Sequence, residues 1–325
     1  MFPPIIILIS MENIKDKIIN GGQISPEEAR QLTELPTEQL CNDADEIRRH
    51  FCGSSFDMCT IINGKSGRCS ENCKFCAQAG CYDTEIEEYP LLSGDRIVRE
   101  AEYNRDRGVM RYSVVTSGKR LSDDEIDELC TSIRKIKGIK VCVSLGLLNE
   151  DQFRKLREAG AGRVHNNLET GRSFFRSVCS THTYDEKVAA IKAAKAAGLE
   201  VCSGGIMGLG ESMDDRIEMA FELRSLGIRS VPVNMLNPIP GTPLAARRVM
   251  DAEEMRRTVA IYRFILPDAY IRLAGGRGLL PDKGRACFRS GANAAITGDM
   301  LTTAGISIET DMKMMKELGY EVTCR

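Results

Sequence analysis

The chain has no excess of either charge. In 325 residues, 44 Lys and Arg stand against 46 Asp and Glu, dispersed rather than massed, so nucleic acid is not expected as a partner. It has no long hydrophobic run either. The apolar start, Met1 to Ser10, is too short to span a bilayer and carries neither a basic leading region nor a small-residue cleavage site. Neither a membrane partner nor a signal peptide is expected, and residues 1–10 read as an upstream-start artefact ahead of Met11. There is no low-complexity linker to divide the chain. Two separated Cys-x2-Cys pairs, the habit of structural zinc, are also missing, and no His follows the one compact cysteine group at ligand spacing.

What the chain has is cysteine. Its thirteen cysteines suggest a reducing, cytoplasmic compartment and metal use rather than a disulfide scaffold. Cys69, Cys73 and Cys76 form a Cys-x3-Cys-x2-Cys triplet in the run Gly67 to Gln78. Three thiolates on a four-iron cluster leave one iron open, whereas electron-transfer clusters normally have every iron closed by protein. Chemistry at the metal is therefore the expected use. Cys81 is a fourth donor that would close a zinc site or an ordinary cluster, and cysteines that merely pack would scatter without such spacing. The triplet resembles the radical S-adenosylmethionine (SAM) signature, with Phe75 before its third cysteine.

The pattern predicts an α/β chain. Helices from about 12 to 50, one opened by Ser25-Pro26-Glu27-Glu28, form an N-terminal extension. Strands are expected at roughly 57–63, 110–116, 139–145, 163–168, 199–206, 230–236, 270–274 and 293–297. They alternate with helices such as 122–137, 184–197, 212–226 and 251–266. Such alternation fits a TIM-type (β/α)8 barrel, with residues 51–325 as one barrel domain ending in a helix. The triplet then lies in the loop after the first strand, at the rim where barrels carry active sites. Cys142, Cys202 and Ser113 are each fourth in their strands, and Cys59 and Arg272 are third. If these positions face inward they share one depth, and a buried Arg272 needs an anionic partner, either a second metal cluster or a carboxylate.

At this point the chain resembles the biotin synthase family over roughly residues 37–320. The match is carried by Ser66 to Gln78, His165-Asn166-Asn167-Leu168-Glu169-Thr170, Thr181-His182-Thr183-Tyr184 and Val201 to Glu211. Val231 to Leu236, Gly241-Thr242-Pro243-Leu244, Ile271-Arg272-Leu273 and Ser290-Gly291-Ala292-Asn293 complete it. The resemblance implies a homodimeric barrel that converts dethiobiotin to biotin. Cys69, Cys73 and Cys76 would hold a [4Fe–4S] cluster whose open iron chelates SAM. An electron from flavodoxin or ferredoxin would cleave SAM to a 5′-deoxyadenosyl radical, which abstracts hydrogen from dethiobiotin. An auxiliary cluster would give the sulfur. Asn167 and Glu169 match positions contacting SAM and substrate, and Asn234 a substrate-side position. Gly204, Gly205 and Gly208 would let the backbone approach the nucleoside, although their run lacks the G-x-G-x-x-G spacing. His182 would lie near SAM.

The chain departs from the common family pattern at one place. The auxiliary [2Fe–2S] cluster is usually held by three cysteines and one arginine. Cys142, Cys202 and Arg272 match, but the remaining cysteine position is Ser113, a poor ligand beside a thiolate. Cys59 stands on the first strand, where serine is common. The paired change suggests an auxiliary cubane held by Cys59, Cys142 and Cys202, carrying an expendable sulfide, with Arg272 a neighbour or ligand. Cys52, Cys81 and Cys287 are alternative ligands. Competing readings are another radical SAM barrel, of the hydrogenase-maturase or methylornithine-synthase type, and a non-catalytic iron–sulfur or zinc protein.

Overall fold

The computed structural model describes residues 12–323. The apolar start and its reading as an artefact lie outside the described residues.

Among the described residues ten strands form one sheet: β1 (Ser55–Lys65), β2 (Arg111–Thr116), β3 (Lys140–Ser144), β4 (Ala161–His165), β5 (Glu200–Cys202), β6 (Gly205–Met207), β7 (Ser230–Met235), β8 (Tyr270–Leu273), β9 (Ala294–Ile296) and β10 (Glu321–Val322). The order runs β1-β2-β3-β4-β5-β7-β8-β9, all parallel, and β9 returns to β1 through Asp57↔Ala294 and Cys59↔Ile296. The sheet therefore closes into an eight-stave TIM-type barrel, as the alternation predicted. The fifth stave is in two pieces, since β5 and β6 both pair with β7. β10 extends the sheet outside the barrel at Ser55.

Helices fall where the periodicity put them, at Asp123–Lys135, Tyr184–Ala196, Met213–Ser225 and Ala252–Ile265. Several begin with a capping box, in which a side-chain oxygen and a carboxylate satisfy two orphan N–H groups. Ser122 with Glu125 and Thr183 with Glu186 are examples, and the predicted start at Ser25 closes the same way with Glu28. The N-terminal helix Thr37–Cys52 packs on Ala252–Ile265, and Arg257 ties the segment before it by donating to the carbonyls of Leu35 and Thr33. Ile14, Ile18, Leu40 and Ile47 belong to the same apolar core as Met58, Val143 and Val164 of the staves. Among the described residues no helix is long and apolar enough to cross a membrane.

Barrel interiors are ordinarily filled by Val, Ile and Leu. Here Asp57, Cys59, Arg111, Ser113, Cys142, Arg163, Cys202 and Arg272 are all buried on the staves. That polar lining sets the floor of the site.

Candidate active site

Cys69, Cys73 and Cys76 sit in the loop leaving β1. The turn before them is made by Gly67 and Arg68, both at positive φ (76° and 52°). Gln78 holds it by accepting from the Gly67 N–H (3.1 Å) through its side chain and from the Cys69 N–H (3.0 Å) through its backbone. The three half-buried thiols face a cavity of about 410 Å³, which Cys59, Cys142, Cys202 and Arg272 also line. Two sets of three thiols thus open into one chamber, one from the rim and one from the staves. Asn167, Glu169, Lys187 and Asn234 line the same wall. Burial pushes the Cys76 thiol up to about 11, and a hydrogen bond with Cys179, then burial, raises Cys73.

The deep set is surrounded by cations. Arg272 Nη1 donates to Cys59 Sγ (3.3 Å), Arg111 Nη1 to Cys142 Sγ (3.6 Å), and Ser230 Oγ to Cys202 Sγ (3.2 Å). The wholly buried Asp57 lies 3.2 Å from Arg272, 3.4 Å from Arg163 and 3.7 Å from Arg111. Burial works against its charge, but Arg272, Arg111 and Arg163 hold its carboxyl below the usual range. Burial pushes Cys59 up to about 12 and raises Cys142. At Cys202 burial is outweighed by the hydrogen bond and charge of His165 and by Arg272 and Arg163, which bring the thiol down to about 6. Arg272 therefore has the carboxylate that one sequence reading required. Arg163 also pairs with the exposed Glu200, at 2.7 Å.

A radical SAM superfamily model matches residues 65–223, and a biotin and thiamin synthesis associated domain model matches residues 232–321. A biotin synthase of Brachyspira hyodysenteriae is 59% identical over 97% of this chain and 95% of its own length. Those of Akkermansia muciniphila and Clostridium botulinum are 55% and 54% identical, covering 95% and 96% of this chain and 98% and 100% of theirs. The chain belongs to the biotin synthase family. A methylornithine synthase shares its fold (TM-score 0.83, 20% identity, 96% and 97% coverage), as does a maturase of the [FeFe]-hydrogenase (0.84, 20%, 97% and 76%). At that identity they speak for the barrel alone.

The family is one of radical SAM enzymes, which use a [4Fe–4S] cluster and SAM. The rim triplet fits such a cluster in donor chemistry, since three thiols share one face of the chamber. Cys81 is exposed and Cys81, Cys52 and Cys287 are not on its wall. Cys52 lies instead near the carbonyls of Pro267 and Ala269, and Cys287 is in the apolar core.

Two groups of predicted residues lie off the cavity wall. Gly204, Gly205 and Gly208 do not line the cavity. A Cβ on Gly204 would lie 2.0 Å from the Pro232 carbonyl oxygen, and one on Gly205 would lie 2.4 Å from that of Glu169. Within the protein, the close approaches that demand glycine here are to β7 and to the Glu169 turn. Gly208 takes φ 93°, a turn conformation. Gly204→Ala is accordingly expected to cost about 1–3 kcal/mol of stability through overpacking, with or without SAM, as read by urea unfolding. His182 is also off the wall. Its Nδ1 lies 2.5 Å from Glu71 Oε2 and 3.3 Å from Cys179 Sγ, behind the rim loop.

Asn167 and Asn234 shape the wall as well as line it. Asn167 Oδ1 accepts from the Gly204 N–H (3.1 Å), in the break between β5 and β6. Asn234 donates to the Gly205 carbonyl (2.9 Å) and accepts from the Gly275 N–H (2.8 Å). Glu169, at φ 73°, sits 3.7 Å from Lys187. Sequence reasoning missed Asp57, Arg111, Arg163 and Glu71. The rule that flagged Arg272, a charge inside an apolar strand, would have found the first three.

Proposed function

We propose that the chain converts dethiobiotin to biotin by sulfur insertion, drawing the sulfur from an auxiliary cluster on Cys59, Cys142 and Cys202. One observation carries this reading: two separate thiol triads open into the same chamber, which leaves substrate space between a SAM site and a sulfur source. Cys69, Cys73 and Cys76 would hold the [4Fe–4S] cluster. When bound, it supplies the electron that cleaves SAM and yields a radical able to take hydrogen from an unactivated carbon.

The protein's own work is placement. Glu169 and Asn167 offer acceptor and donor groups for the amino and carboxylate ends of SAM, and Asn234 faces substrate from β7. Arg272 and Arg111, already donors to Cys59 and Cys142, would keep thiolates charged at depth and out of water. Ser113 lies in register with Cys142 and lines the chamber. With Cys59 supplying the third deep thiolate, a cubane-type cluster with an extra sulfide fits the donor set better than [2Fe–2S]. A flavodoxin or ferredoxin as reductant, a cytoplasmic location and a homodimer complete the proposal.

Anaerobic turnover of dethiobiotin with labelled sulfide, read together with iron and sulfide counts, tests it. About eight irons per chain and label in biotin are expected. No SAM cleavage in fully reduced protein would reject enzymatic function, and about six irons would return the auxiliary cluster to the [2Fe–2S] type.

A further inference from the structure

Behind Cys73, residues 71–74 are stitched to residues 178–182. The Lys74 N–H donates to the Val178 carbonyl (3.0 Å), and Asn72 Oδ1 accepts from the backbone of Ser180 (3.0 Å) and Thr181 (3.3 Å). Thr181 Oγ1 donates to the Glu71 carboxylate (2.8 Å). This docking places Cys73 Sγ, Cys179 Sγ and a ring nitrogen of His182 all within 4.8 Å of one another. Cys179 and His182 are buried, at 3% and 6% exposure, and neither lines the chamber. Glu71 Oε2 stands 2.5 Å from His182 Nδ1.

These spacings suit a single ion. Around tetrahedral zinc two sulfurs stand about 3.8 Å apart, and sulfur and nitrogen about 3.5 Å. We propose that Cys73, Cys179 and His182, with Glu71 holding the imidazole through Nδ1, bind one thiophilic divalent cation of the zinc type in the cluster-free chain. The two thiol protons leave to solvent as the metal–sulfur bonds form. Cys73 also belongs to the rim triplet, so the ion and the cluster exclude each other. That exclusion rests on the cluster reading above, whereas the donor set rests on the geometry alone.

The probe is Co2+ added anaerobically to the full-length chain carrying Cys59→Ala, Cys69→Ala and Cys76→Ala. This variant breaks both triads and keeps the new set. Tetrahedral d–d bands with thiolate charge transfer are expected, lost on adding Cys179→Ser. Affinity should weaken by roughly tenfold or more with Glu71→Gln. Spectra unchanged by Cys179→Ser would overturn the site. Should the multiple variant fail to fold by circular dichroism, His182→Gln in the otherwise unsubstituted cluster-free chain serves. Loss of one bound Zn2+ equivalent there supports the site, and an unchanged count overturns it. In a second arm, Zn2+-loaded chain is given iron and sulfide. Cluster absorbance is expected to grow more slowly than in Cys179→Ser, and equal rates would overturn the exclusion.

Discussion

Replacing Cys59 with alanine is expected to remove about four of about eight irons per chain and to stop biotin formation, while the rim cluster and its SAM cleavage persist. Cys59 lies buried on β1, with Arg272 donating to its sulfur at 3.3 Å. The neighbouring stave puts Ser113 rather than a thiol on the chamber wall, and a hydroxyl is a weak iron donor beside thiolates. Without Cys59 the deep set falls to Cys142 and Cys202. Loss of an outer-shell partner commonly costs a metal site 10–100-fold, so loss of a ligand should lower biotin formation by more than roughly 100-fold. The exchange Cys59→Ser with Ser113→Cys is the sharper experiment. It moves the third thiol one stave over, to the register position opposite Cys142. Iron should return, at about six per chain, with Mössbauer parameters of a [2Fe–2S] centre beside the rim cluster. Eight irons in Cys59→Ala would mean that Cys59 is not a ligand of the auxiliary cluster.

The barrel was legible because strand and helix periods differ and because each stave is short and bounded. Counting from a strand's start also placed Ser113 opposite Cys142, since residues at matching offsets meet in a parallel sheet. The break in the fifth stave was not legible. Residues 199–206 read as one strand, but the side chain of Asn167, more than thirty positions earlier, takes the Gly204 N–H out of the ladder. Local sequence carries no sign of that partner. The glycines were legible only in part for a related reason: a missing side chain shows that something approaches, not what approaches. His182 likewise carries no local sign that its imidazole turns toward Glu71, 111 residues away, and Cys179.

Asp57→Asn is expected to produce the largest loss of stability of any single change among the buried polar residues around the deep thiols. The substitution keeps the shape but leaves Arg272, Arg163 and Arg111 around a neutral amide. Breaking a buried ion pair by removing one partner costs about 3–5 kcal/mol, because the remaining charge stays desolvated. Urea unfolding of iron-free protein, extrapolated linearly to water, measures that loss. The same measurement after cluster loading should give a smaller one. Thiolates at Cys59 and Cys142 would stand against two of the same guanidiniums, so negative charge would no longer depend on Asp57 alone. Asp311→Asn is the control. It breaks another buried pair, with Arg277, whose carboxylate neither lines the chamber nor contacts the deep thiols, and its cost should be the same in both states. Equal losses for Asp57→Asn with and without iron would show that the three arginines serve the carboxylate only, and that no anionic group forms on the deep cysteines.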